Sequence, residues 1–214
     1  MKQQIIEKIE KNKIVVIIRG VEREKLIPVV SAMYNGGIRI VECTFDASGV
    51  KSDESVASDI SMLTEHFGDS MVIGAGTVIT QEQVELTKKA GGKFIISPDT
   101  YCPVIEKANE LGLVSIPGAI TPTEVSDAHR SGADFVKLFP IDLYGAKYIK
   151  TLKAPLSHIR LMAVNGITAE NMCEYINAGA CAVGVGSGVV NKDLIAKGDF
   201  EAIKSLAKKY TENI

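Results

Sequence analysis

Phe94-Ile95-Ile96-Ser97-Pro98-Asp99-Thr100-Tyr101-Cys102-Pro103-Val104-Ile105-Glu106-Lys107-Ala108-Asn109-Glu110-Leu111-Gly112 contains one complete structural unit. A short apolar, β-branched run ends at the breaker Ser97-Pro98-Asp99. Val104, Ile105, Ala108 and Leu111 then recur at i, i+3, i+4 and i+7 spacing, so the following helix has one apolar face. Gly112 closes it, where a helix end favours a residue that tolerates positive φ. The next apolar run, Val114 to Ile116, begins almost at once. Strand, loop, helix, glycine and strand again make a βα unit of a parallel sheet.

The same order repeats along the chain. Strand candidates are Ile14 to Ile18, Ile38 to Cys43, Met71 to Gly74, Phe94 to Ile96, Val114 to Ile116, Phe135 to Leu138, Arg160 to Ala163 and Ala182 to Val185. Leu26, Val29, Val30 and Met33 give another apolar helical face, and Thr80 with Gln83 and Thr121 with Pro122 and Glu124 fit capping boxes. Gly36, Gly91, Gly112, Gly132 and Gly179 sit just before strands as helix terminators. Met1 to Lys13, with Ile5, Ile6 and Ile9, reads as an extra amphipathic helix. Eight units in 214 residues, with no linker or composition break, predict an α/β fold: one (β/α)8 TIM barrel spanning 1–214, with a doubly wound sheet as the alternative.

Composition narrows the function. Lys and Arg total 24 against 26 Asp and Glu, a net charge of −2, so no whole-molecule field attracts nucleic acid or an anionic membrane. Apolar runs of about five residues fall far short of the ~20 that span a bilayer. Four cysteines without a C-x-x-C pair, and no signal-peptide pattern, predict reduced thiols and a cytoplasmic protein. Any anion must be held locally.

Barrel chemistry is built at the C-terminal ends of strands, and this chain places a distinctive set there. Lys137 interrupts Phe135-Val136-Lys137-Leu138-Phe139, where burying an ammonium is costly. Alternation turns Val136 and Leu138 toward the helices and Lys137 into the barrel mouth, where desolvation pulls its pKa below the usual ~10.4 and makes it a nucleophile. A lysine paired with a carboxylate or reaching solvent is the plainer reading. In Ile40-Val41-Glu42-Cys43-Thr44 the same alternation brings Glu42 and Thr44 to the mouth and turns Cys43 outward. An amine and a carboxylate in a dry pocket suffice for imine catalysis, and a simple ion pair is the alternative.

Glycines crowd three of the strand ends: Gly74-Ala75-Gly76-Thr77, Asn165-Gly166, and Gly184-Val185-Gly186-Ser187-Gly188. The last two occupy the loops where such barrels bind phosphate through backbone amides and a helix N-terminus, and tight turns alone are the competing explanation. Arg19 after the first strand adds a cation for a carboxylate or phosphate. His66, His129 and His158 fall away from the mouth and no cysteine pair has ligand spacing, so neither metal nor cofactor is expected. A phosphosugar isomerase or epimerase would use the same groups without an imine, and a non-catalytic sugar-phosphate binder is a further alternative.

Glu42-x-Thr44, Gly74-Ala75-Gly76-Thr77-Val78, Ile96-Ser97-Pro98, Val136-Lys137-Leu138-Phe139-Pro140, Gly166-Ile167 and Gly186-Ser187 together resemble the 2-keto-3-deoxy-6-phosphogluconate aldolases and their 4-hydroxy-2-oxoglutarate and phosphogalactonate relatives, from Ile14 to Val190. The resemblance implies a homotrimeric, metal-free class I aldolase that splits a small 2-keto-4-hydroxy acid into pyruvate and an aldehyde. It implies Lys137 as imine former and Glu42 as proton shuttle. Thr44, Thr77 and Pro98 would line the pyruvate end, with Thr77 on the carboxylate, and Gly166, Gly186 and Ser187 would hold phosphate. Two departures stand out: Asp46 occupies the place of a gluconate-type arginine, and Ala163-Val164-Asn165-Gly166 replaces Pro-Thr-Gly-Gly. Arg19, in Ile18-Arg19-Gly20, resembles the galactonate branch.

Overall fold

The computed structural model describes residues 2–214; Met1, at the head of the expected N-terminal helix, lies outside the described residues. Strands and helices alternate: α1 (Lys2–Asn12), β1 (Ile14–Ile18), α2 (Arg23–Asn35), β2 (Ile40–Thr44), α3 (Asp53–Phe67), β3 (Val72–Gly76), α4 (Gln81–Lys89), β4 (Phe94–Ile96) and α5 (Cys102–Glu110). They continue with β5 (Val114–Ile116), β6 (Gly118–Ala119), α6 (Pro122–Arg130), β7 (Val136–Leu138), α7 (Ala146–Lys153), β8 (Leu161–Val164), α8 (Met172–Asn177), β9 (Ala182–Val185), α9 (Lys192–Lys197) and α10 (Phe200–Thr211). Every strand pair is parallel, in the order β5-β4-β3-β2-β1-β9-β8-β7-β6.

All eight expected strands are present, with ends displaced by up to two residues, as where Ile38 to Cys43 becomes Ile40–Thr44. The ninth arises because Pro117, which has no N–H to give, divides the fifth stave into β5 and β6. The first half pairs with β4 and the second with β7. The Lys137 N–H donates to the Pro117 carbonyl at 2.8 Å and the Asp134 N–H to Ser115 at 3.0 Å, so residues 114–119 close the ring. This is the (β/α)8 barrel, and not the doubly wound sheet.

Alternation sorts the apolar side chains into two cores. Val41, Cys43, Ile73, Ala75, Val136, Leu138, Ala163 and Val183 pack outward against the helices. Val15, Ile40, Val72, Phe94, Ile116, Phe135 and Met162 fill the barrel, and Ile5, Ile6 and Ile9 of α1 join them, stoppering its N-terminal end. Phe135 inside with Val136 and Leu138 outside fixes the orientation of Lys137 between them.

Of the five glycines expected to end helices, Gly91, Gly112, Gly132 and Gly179 have φ of 84°, 69°, 95° and 114°. Gly36 does not: its φ is −84°, and Gly37 makes the turn at 97°. Gly36 is small because α10 crosses there, and a Cβ would lie 2.6 Å from the Ala207 Cβ and the Lys204 carbonyl oxygen. Thr121 and Glu124 form the full capping box. At α4, Thr80 caps Gln83, but the Gln83 side chain accepts from Ile79, one residue earlier than the box requires.

Candidate active site

The C-terminal rim of the barrel opens into a cavity of about 830 Å³ lined by Arg19, Thr77, Pro98, Lys137, Gly166, Gly186 and Ser187 among others. A second, of about 520 Å³, lies behind β1 and β2 and shares Arg19 and Thr77 with it. Seven of the nine residues expected from sequence thus line one opening; Thr44 lines the second cavity instead, and Glu42, buried and hydrogen-bonded to Thr44, lines neither but is close enough to Lys137 for the two charges to act on each other.

Glu42 is 3% exposed, and its place is made by a missing side chain: a Cβ on Gly76 would lie about 2 Å from the Glu42 carboxylate, at 1.9–2.1 Å. Likewise a Cβ on Gly74 would meet the Phe94 ring at 2.5 Å. These two glycines, expected to crowd an anion site, instead lie within β3 and clear room for the carboxylate and for barrel packing. The Thr44 hydroxyl donates to the Glu42 carboxylate at 3.2 Å. Burial pushes the Glu42 pKa from 4.5 to about 7 against the opposing pull of Lys137, the Thr44 hydrogen bond and Arg19. A carboxyl titrating there can both accept and return a proton at neutral pH.

Lys137 moves the other way. Burial lowers its pKa, Glu42 resists by favouring the ammonium, and Arg19 adds to the lowering. Its Nζ lies 4.5 Å from the centroid of the Phe139 ring. A desolvated amine beside a carboxyl that holds its proton is equipped for nucleophilic attack on a carbonyl followed by proton transfer.

One wall is anchored by Arg19, whose Nη2 donates to the Thr77 hydroxyl at 3.0 Å. Thr77 has φ of 53°, a left-handed conformation that is strained for a β-branched residue and that clusters at functional sites. Asp46 does not face the cavity as a free charge. Its carboxylate accepts from Ser48 N–H and Oγ and from Lys51 N–H at 2.6–2.9 Å, which holds its pKa below the usual value and folds its own loop.

Opposite, Asn165 and Gly166 have φ of 88° and 67°. Asn165 thus follows a left-handed path that a glycine would take, with its amide tied to Asp142 at 2.6 Å. Asn171 bonds the Gly166 carbonyl at 2.9 Å. Among the described residues, the amides of Gly166, Ile167, Ser187 and Gly188 are not spent on hydrogen bonds within the chain. The helix N-terminus expected behind Gly166 is not adjacent, because α8 begins only at Met172; the loop itself carries the donors. His66 and His129 lie in α3 and α6 and His158 precedes β8, all away from this mouth.

Among the lining residues that sequence did not single out, two come from the helices that follow the last strand. Tyr210 of α10 reaches the cavity, its hydroxyl near the Ile167 carbonyl at 3.5 Å, and Lys192 at the start of α9 also lines it. Neither lies at a strand end, so no periodicity marks them.

The family model "Aldolase: KDPG and KHG aldolase" matches residues 5–206. The chain is 31% identical to the 2-dehydro-3-deoxy-6-phosphogalactonate aldolase of Escherichia coli over 94% of this chain and 96% of that one. It is 31% identical to the 2-dehydro-3-deoxy-phosphogluconate aldolase of Haemophilus influenzae over 99% and 97%. A solved structure described as native KDPGal superposes with a TM-score of 0.83 at 31% identity, covering 94% of this chain and 93% of its own.

Proposed function

The chain belongs to the KDPG and KHG aldolase family, and from that premise we propose that Lys137 and Glu42 are the catalytic pair of a class I carbon–carbon lyase acting on a 2-keto-3-deoxy-6-phospho sugar acid. The observation that carries the assignment is the opposed displacement of the two pKa values at one opening, lysine down and glutamate up. Lys137 Nζ attacks the C2 ketone and the carbinolamine loses water to give an iminium. Glu42 takes the C4 hydroxyl proton as the C3–C4 bond breaks, and its electrons pass into the iminium to form an enamine. The aldehyde leaves as glyceraldehyde 3-phosphate. Glu42 returns its proton to C3, and water releases pyruvate and the free amine.

Thr44, Thr77 and Pro98 line the pyruvate end in this reading, with Arg19 beside Thr77 on the carboxylate. Gly166, Gly186 and Ser187 hold the phosphate. The unspent amides favour a phosphate-terminated substrate, gluconate- or galactonate-type, over 4-hydroxy-2-oxoglutarate, whose cleavage yields glyoxylate. Residues 1–214 serve as one cytoplasmic domain. Leu143 (75%), Tyr144 and Tyr101, exposed after the ends of β7 and β4, are apolar side chains that a homotrimer would cover, which sedimentation equilibrium tests.

Incubation with pyruvate and borohydride should leave a reduced adduct on the peptide bearing Lys137. Lys137→Ala should lose both adduct and cleavage in a lactate dehydrogenase-coupled panel of the three substrates. An unmodified lysine, as an isomerase or epimerase would leave it, overturns the assignment.

A further inference from the structure

The cavity extends well beyond Lys137 and Glu42, and its far end needs a cation if it is to hold a dianion. Most of the basic side chains around the rim are already engaged. Arg19 is bonded to Thr77 and is the cation that acts on Lys137 and Glu42, which assigns it to the reacting end. Lys25 donates to the carbonyls of Ile195 and Ala196 at 3.0 and 3.2 Å. Lys51 is paired with buried Asp59.

Lys192 is different. It lines the same cavity as Ser187 and Gly188, five residues after Ser187, and among the described residues it forms no ion pair. Its stem crosses from α9 to the turn after β1, where a Cβ on Gly20 would sit only 3.4 Å from its Nζ. That is ordinary van der Waals distance, so the ammonium rests against the Gly20 turn while the side chain lines the cavity.

The geometry points to Lys192 as a substrate-binding residue that grips the distal phosphate and sets the preference for phosphorylated over dephosphorylated substrate. This rests on the aldolase reading above for the identity of the substrate, but not for the existence of an anion site. An ammonium acts as a point charge on phosphate and suits a site whose directional donors are backbone amides. Its contribution falls on binding rather than on chemistry, because the phosphate is remote from the bond that breaks.

The test compares wild type, Lys192→Met and Lys192→Arg on phosphorylated substrate and on the same sugar acid without its phosphate. Lys192→Met should raise KM for the phosphorylated substrate about tenfold more than for the dephosphorylated one, with kcat changed far less, and Lys192→Arg should recover most of the loss. In parallel, inorganic phosphate is titrated by calorimetry into wild type and Lys192→Met, and weaker binding to the variant is expected. An unchanged KM ratio together with unchanged phosphate binding overturns the proposal. Wild type that binds phosphate through Lys192 but yields no borohydride adduct with pyruvate retains this anion site while removing the aldolase reading, so the two failures are distinct.

Discussion

Glu42→Gln should make the protein more stable at neutral pH while removing its proton shuttle. The carboxyl is 3% exposed, and its pKa rises from 4.5 to about 7 on folding. Because the folded value is the higher, the folded state holds the proton more tightly, and stability falls as pH rises from about 4.5 and levels off above about 7. A shift of about 2.5 units corresponds to about 3 kcal/mol at pH 8, of which less than 1 kcal/mol is already present at pH 5. Glutamine fits the same space and has an oxygen for the Thr44 hydroxyl, so it escapes this penalty.

Urea denaturation of wild type and Glu42→Gln at pH 5 and pH 8 reads the effect directly. The stability gap should widen by about 2 kcal/mol in favour of the variant at the higher pH. Parallel pH dependence in the two proteins would refute the buried, high-pKa carboxylate. The variant also loses the group that favours the Lys137 ammonium, so its rate of imine trapping with pyruvate should rise at lower pH than in wild type.

Two further substitutions probe the residues around the pair. Gly76→Ala places a methyl about 2 Å from the Glu42 carboxylate, and displacement on that scale should reduce kcat by about 100-fold with pyruvate still trapped on Lys137. Unchanged turnover would show that Glu42 need not stand where it does. Thr77→Gly relieves a left-handed residue but loses the Arg19 contact, so it should raise stability by about 1 kcal/mol while weakening substrate binding. A destabilised variant in urea melts would remove strain from the account.

Much of this was legible because the barrel makes strand alternation the main coordinate of the site. Phe135, Val136, Lys137 and Leu138 could be sorted inward and outward from their order, and Ile40 and Glu42 likewise, since one buried face on each side leaves no freedom of register. What alternation cannot express is contact between one element and another. The role of Gly76 depends on Glu42 from the neighbouring strand, and that of Gly36 on α10 about 170 residues later. Asp46 stands in the sequence only as a departure at an arginine's place, because its loop bonds to Ser48 and Lys51 have no periodic signature. Lys192 and Tyr210 reach the cavity from helices, and only the closed ring brings them there.

The division of the fifth stave at Pro117 bears on how the protein comes into being. The carbonyl of Pro117 holds the backbone N–H of Lys137, so the seam that completes the ring and the nucleophile share one hydrogen bond. A chain that has collapsed and formed its helices but has not joined β6 to β7 has its lysine in sequence and not in position. Recovery of activity after dilution from denaturant therefore times the moment of ring closure, whereas recovery of helical signal times only what precedes it.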